Sequence, residues 1–214
     1  MTGTGGLVLY RITRTIVLAL CRLLFRVRIH GLELVPDDGP FIVAPSHRSL
    51  LDIPFAAFVT RRRVCFRAKK ELYENRFVAW VIDAFGGFPV DRGAPDRAAL
   101  RAAQAVLERR EPLVVFPEGT RGHGEELGVL FDGAAFLAAR CQVPIVPVGI
   151  AGSEEILASG KVWPSFRRVA IVVGKPVVPP ATSGRVRRQQ VAALTDALRD
   201  ELQAAFTAAF ELEA

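Results

Sequence analysis

The sequence predicts an α/β fold: a largely parallel mixed sheet flanked by helices, with an amphipathic helix in front. Three observations predict it. Short apolar runs at 41–44, 113–116, 144–150 and 169–173 are too short for helices and suit buried strands. Stretches of helical periodicity separate them, as in chains that cross back to add parallel strands. Half of the 214 residues are hydrophobic and 23% are charged, enough apolar surface for a sizeable core. The longest run free of Asp, Glu, Lys and Arg is 13 residues, Cys141 to Ser153, and it contains Pro144 and Pro147. A membrane-spanning helix needs about 20 apolar residues, so a peripheral protein is expected. Three dispersed cysteines fit neither a disulfide framework nor a Cys-rich zinc site and read as reduced thiols of a cytosolic protein.

Taken in order, residues 7–26 read as a helix. Its apolar residues recur at mostly helical spacing, and Arg11, Arg14, Arg22 and Arg26 fall in one sector about 120° wide. Such a cylinder suits a bilayer interface, with arginines among lipid phosphates and apolar residues in the acyl region. The alternative is a terminal helix packed on its own core. Arginines interrupt the apolar region and no small-residue cleavage site follows, so it does not read as a signal peptide. Residues 27–34 read as a strand and 36–40 (Pro-Asp-Asp-Gly-Pro) as a turn. After the strand at 41–44, residues 51–60, 76–84 and 94–110 read as helices. Pro95 and Asp96 stand near the start of the third, with basic residues near its end. A strand at 113–116, a helix at 133–141, strands at 144–150 and 169–173 and a closing helix at 187–210 complete the chain. Two units are expected: an interface helix over 1–26 and one domain over 27–214.

The net charge of +6 is unevenly placed. The first 32 residues hold five arginines and no acid, and residues 61–70 hold six basic residues and no acid. A basic front half suggests an anionic partner, lipid headgroup or phosphate. Nucleic acid is not expected, because neither zinc-finger spacing nor an RNA-binding aromatic motif is present.

Two loops stand out. The strand at 41–44 runs into Pro45-Ser46-His47, and the strand at 113–116 runs into Pro117-Glu118-Gly119-Thr120-Arg121. Ligands of open α/β sheets sit beyond the carboxyl ends of strands, so both loops belong on one rim. Of three histidines, His30 reads as structural and His123, among glycines, as solvated. In a continuous helix His47 and Asp52 would not share a face. If His47 precedes the helix and Asp52 lies in its early turns, the carboxylate can hold one ring nitrogen and leave the other to act as a base. A lone His and Asp at this spacing is more often incidental.

Here the pair is accompanied. Residues 86–92 (Gly-Gly-Phe-Pro-Val-Asp-Arg), 116–121 (Phe-Pro-Glu-Gly-Thr-Arg) and 143–148 (Val-Pro-Ile-Val-Pro-Val) follow it in order. The set resembles the four blocks of the glycerolipid acyltransferases, specifically the 1-acylglycerol-3-phosphate acyltransferase family, and the resemblance extends over roughly residues 27–180. Ser46 stands where many relatives carry Asn, and Asp132 where many carry a basic residue.

The resemblance implies the glycerolipid acyltransferase fold and transfer of a fatty acyl group to the free hydroxyl of 1-acylglycerol-3-phosphate, giving phosphatidic acid. The donor is acyl-CoA or acyl carrier protein, and neither metal nor other cofactor is implied. His47 is then the general base and Asp52 its orienting partner. Arg92 and Arg121, with Lys69 as a third cation, are the expected acceptor-phosphate ligands. Glu118, Gly119 and Thr120 belong to the same substrate-binding block, Glu118 either bonding an acceptor hydroxyl or holding a nearby arginine. The expected location is peripheral, on the cytoplasmic face of an anionic membrane. Three rivals remain at this point: a thioesterase using Ser46 or Ser49, which lacks a nucleophile elbow, an acyltransferase for another lysophospholipid or glycolipid, and a non-catalytic lipid-binding protein.

Overall fold

The computed structural model describes residues 4–69, 74–75, 79, 82, 86–90, 96–156, 165–181 and 184–213. Strands β1 (Arg28–His30), β2 (Ile42–Pro45), β3 (Cys65–Lys69), β4 (Gly87–Val90), β5 (Leu113–Val114), β6 (Ile145–Ala151) and β7 (Ala170–Val173) form one sheet in the order β1-β7-β6-β2-β5-β3-β4. Only the β6–β7 pairing is antiparallel. The other pairings are parallel, which is the mixed, largely parallel sheet expected. Helices α1 (Thr4–Phe25) and α2 (Asp52–Ala56) cover one face, and α3 (Asp96–Glu108), α4 (Gly133–Cys141) and α5 (Arg188–Glu213) the other.

Strand β2 shows why the sheet is buried on both sides. Phe41 and Val43 enter the core beneath α1 and α2, while Ile42 and Ala44 enter the core beneath α3, α4 and α5. All four are fully buried, so the run shows no polar alternation. β2 lies between β5 and β6, and its register pairs Ile42 with both Leu113 and Ile145. The carboxyl ends of β2, β5 and β6 therefore open onto one edge.

Several elements differ from expectation. The strand expected over 27–34 stops at His30, because the Leu34 N–H turns back to the Gly31 carbonyl (3.0 Å) and Leu32–Leu34 forms a 3-10 turn. The helix expected over 51–60 is α2 followed by a 3-10 turn, Ala57–Val59. Strand β5 is two residues long. β3 and β4 were hidden, one by the charge of 61–70 and the other by Gly87 and Pro89, which an edge strand tolerates. The helix expected at 76–84 lies mostly outside the described residues.

α1 packs its Tyr10, Cys21 and Phe25 side inward. The Phe25 ring meets Phe55 of α2 edge-on at 5.9 Å. The Phe25 carbonyl accepts from Val169 N–H, next to the Ala170–Ala151 pair at the carboxyl end of β6. At its other end Tyr10 Oη accepts from Val64 N–H, just before β3. The helix thus runs from the amino edge of the sheet to the edge where β2 and β6 end. Arg14 departs from the expected arginine stripe: it is half-buried and donates to the Ala57 carbonyl at 2.7 Å and to the Thr60 carbonyl.

The basic stretch also has structural work. Arg62 donates to the Gly39 and Arg110 carbonyls and lies over the Phe41 ring. Arg63 pairs with Glu111 and lies over the Tyr10 ring. Both precede β3, at the edge opposite the ends of β2 and β5.

Candidate active site

His47 follows β2, and Asp52 is the first residue of α2. This is the arrangement in which the two can meet: His47 precedes the helix and Asp52 opens it. His47 Nδ1 lies 3.0 Å from Asp52 Oδ2. A carboxylate only accepts, so the ring proton sits on Nδ1 and the lone pair on Nε2. The same Oδ2 accepts the Arg48 N–H at 2.6 Å and the Ser49 N–H at 2.7 Å. Asp52 is fully buried, whereas the His47 side chain is 14% exposed. One carboxylate oxygen thus caps the turn into α2 and orients the imidazole. The opposite constraint is Phe116, whose ring stacks on His47 with centroids 4.0 Å apart.

Glu118 is brought to His47 across 71 positions of sequence, and its carboxylate is buried. Oε1 accepts the His47 N–H at 2.9 Å, Oε2 accepts the Gly128 N–H at 2.9 Å, and Arg48 Nη1 donates to both oxygens at 2.9 Å. Of its two expected roles, Glu118 thus takes the second: it holds an arginine. That arginine, Arg48, carried no sequence signal of its own beyond standing next to His47. Gly119 has φ +68°, a conformation in which a side chain would be strained, and a Cβ there would stand 3.0 Å from the Phe131 ring. Thr120 and Arg121 are exposed, and Arg121 makes no ion pair among the described residues. The next residue, Gly122, donates its N–H to the His47 carbonyl at 2.8 Å, which places the Arg121 main chain beside the base. Lys69 ends β3 at the same carboxyl edge, and Arg92 lies outside the described residues.

The serines beside His47 are occupied. Ser46 Oγ is buried and accepts the Ile150 N–H at 3.0 Å, tying β2 to β6. Ser49 Oγ accepts the Leu51 N–H at 3.3 Å. Neither is bonded to the imidazole. Asp132, the other departure from the family pattern, accepts from Thr195 Oγ1 at 2.8 Å and joins the start of α4 to α5. His123 is exposed and lies 2.7 Å from Glu154. His30 is an exposed residue of β1. Residues 145–148 are buried strand. Among the described residues no three His, Cys, Asp or Glu side chains stand together as a metal site.

A histidine oriented by a buried carboxylate, at the carboxyl edge of an open α/β sheet and beside an exposed arginine, is an arrangement that can take up a proton next to a group able to face an anion. The chain is similar to known proteins. Residues 26–151 match the acyltransferase family model. The 1-acyl-sn-glycerol-3-phosphate acyltransferase of Bacillus subtilis is 26% identical over 178 residues, covering 83% of this chain and 86% of that protein. Its namesake in Streptococcus pneumoniae is 33% identical over 76% of this chain and 60% of that protein. The crystal structure of the 1-acyl-sn-glycerophosphate (LPA) acyltransferase PlsC from Thermotoga maritima superposes with a TM-score of 0.75 at 28% identity, covering 96% of this chain and 78% of that one. The chain belongs to the acyltransferase family, and it is an enzyme of that class.

Proposed function

We propose that the chain transfers a fatty acyl group from acyl-CoA or acyl carrier protein to the free hydroxyl of 1-acylglycerol-3-phosphate, yielding phosphatidic acid. The observation that carries this reading is the His47–Asp52 bond, which leaves Nε2 as a base on the rim that also bears Arg121. The names of the relatives supply the acceptor class. Nε2 takes the hydroxyl proton as the oxygen attacks the thioester carbonyl. The tetrahedral intermediate then expels the thiolate, and the imidazolium proton passes to the thiolate or to solvent. Asp52 stabilises the imidazolium. A thiolate leaves readily, so one base suffices and no acyl-enzyme is required. A positioned base contributes about 10²–10⁴ in rate. Arg121, with Lys69 and Arg92, would hold the acceptor phosphate, a group that a guanidinium fork matches.

The same reading places the protein on the cytoplasmic face of an anionic membrane. Ile12, Ile16, Leu20 and Leu23 are exposed and lie within about 80° of one another around α1. Leu23 is 77% exposed. Arg11 and Arg22 lie together on one side of this ridge. Its far end lies beside residues 166–168, where exposed Phe166, Arg167 and Arg168 continue the same mixture of apolar and basic side chains. No helix among the described residues is long and apolar enough to cross a membrane, so the ridge would lie in the interface.

Thiol release from acyl-CoA in mixed micelles, with and without 1-acylglycerol-3-phosphate, tests the reaction. Acceptor-dependent release that disappears in His47→Ala is the expected result. Release independent of acceptor would indicate a thioesterase. Silence with both donors and with other lyso-lipids would indicate a binding protein.

A further inference from the structure

We propose that Arg48 is a positioning residue: with Glu118 it locks the main chain of His47 and the 118–128 loop into one rigid unit. The proposal rests on the acyltransferase reading above, with His47 as the base. The His47 peptide is held at both ends. Its N–H donates to Glu118 Oε1 at 2.9 Å, and its carbonyl accepts from Gly122 N–H and from Arg48 Nη1, both at 2.8 Å. The Arg48 guanidinium spans the loop beyond. Nε donates to the Gly124 carbonyl at 2.9 Å and Nη2 to the Glu126 carbonyl at 2.8 Å, while Nη1 serves both oxygens of Glu118. Its flat face lies 4.7 Å from the centroid of the Phe206 ring on α5. Both charged side chains are almost wholly buried, at 2% and 3% exposure.

This geometry distinguishes Arg48 from a substrate-binding cation. Each of its three nitrogens donates within the protein, and the side chain is 2% exposed, which closes it to a phosphate. The fit is close: a Cβ on Gly122 would stand 2.8 Å from Arg48 Nη1. A buried ion pair is seldom better for stability than an apolar pair of the same volume. Its use here is directional: planar donation from three nitrogens fixes one loop arrangement, which a greasy contact or a lysine's single ammonium would not. Base and acceptor loop then keep one spacing through turnover. A misplacement of about 1 Å at a reacting group costs on the order of 10²-fold in rate.

The test compares wild type with Arg48→Lys and with the double replacement R48M/E118L, which removes both buried charges together so that neither is left without its counter-charge, and which takes the acceptor from the His47 and Gly128 N–H groups and the donor from the Gly124 and Glu126 carbonyls. Both are expected to fold, and to lower kcat by about 10²-fold with the KM for acyl-CoA unchanged. A kcat within twofold of wild type in a folded R48M/E118L protein would overturn the proposal. So would full activity in Arg48→Lys, since charge alone would then suffice. Amide hydrogen exchange gives a readout independent of substrate: the Gly122 N–H, whose acceptor is the His47 carbonyl and is altered by neither substitution, should be protected in wild type and lose protection in the double variant, and protection kept there would overturn the proposal. Wild type silent toward every lyso-lipid would sink the acyltransferase reading, while the exchange result would still decide the clamp.

Discussion

At the scale of single residues, one oxygen does three jobs. Asp52 Oδ2 accepts from His47 Nδ1 and from the N–H groups of Arg48 and Ser49. The two peptide donors fix where the carboxylate sits, and the carboxylate then fixes the imidazole. An asparagine at this place could still offer one carbonyl oxygen to these donors, but it would bring no charge to stabilise the imidazolium. Asp52→Asn should therefore fold and bind substrate, yet lose most of the about 10²–10⁴-fold that a positioned base supplies. Steady-state kinetics check this as a fall in kcat with little change in KM. A fall confined to KM would mean that Asp52 serves binding instead. Phe116 bounds the ring on its other side at 4.0 Å, so the imidazole has little freedom to leave the orientation that Asp52 sets.

At the scale of elements, α1 carries two kinds of arginine, and the sequence shows them as one. Arg11, Arg14 and Arg22 share a sector by angle, yet Arg14 turns inward to the carbonyls of Ala57 and Thr60 at the end of the 3-10 turn that follows α2. A periodicity count gives direction around a helix, and what lies opposite is decided by a segment more than 40 positions away. Charge reversal at Arg11 and Arg22 should release the protein from anionic liposomes. Arg14→Ala should leave liposome binding intact and cost about 1–3 kcal/mol of stability, because two partly buried carbonyls lose a charged donor. Sedimentation with vesicles and chemical denaturation separate the outcomes; release by Arg14→Ala alone would place that residue in the interface after all. The same logic explains which strands were legible. β2 and β6 are apolar on both faces and announce themselves, as do α4 and most of α5. β3 is an inner strand written as Cys-Phe-Arg-Ala-Lys, so its charge conceals the buried Cys65 and Phe66, and β4 at the edge begins with Gly and includes Pro. The His47–Asp52 pair was readable because it is local. Arg48, Gly122, Gly128 and Phe206 were not, because what defines them is contact between segments far apart in the chain.

At the scale of the whole molecule, α1 is fastened to the sheet along a seam that is sensitive to alkali. Tyr10 Oη accepts from Val64 N–H at 3.2 Å, and next to it Cys65 Sγ donates to Glu111 Oε2 at 3.3 Å. Burial is the main cause that raises both groups, and Glu111 adds to it at Cys65, whose thiol is pushed up to about 12 from an ordinary 9.0. The consequence has a definite sign. Below pH 9 the folded and unfolded chains both keep the Cys65 proton, and the contribution is complete. Between about 9 and 12 the unfolded thiol ionises while the folded one does not, so the unfolded state binds fewer protons and stability falls as pH rises. One such group lowers stability by about 1.4 kcal/mol per pH unit across that window. Tyr10, raised above 10.0, steepens the upper part of it. Thermal unfolding followed from pH 8 to 11 should show the melting temperature of wild type declining from about pH 9. Cys65→Ala should melt lower at pH 8, because it leaves a small cavity, but decline less steeply. Tyr10→Phe should remove the steepening above pH 10. Parallel curves for all three proteins would show that the alkaline loss arises elsewhere. The seam lies at the amino edge of the sheet, away from His47, so in mixed micelles the Cys65→Ala protein is expected to retain wild-type kcat below pH 9 at temperatures where it is folded.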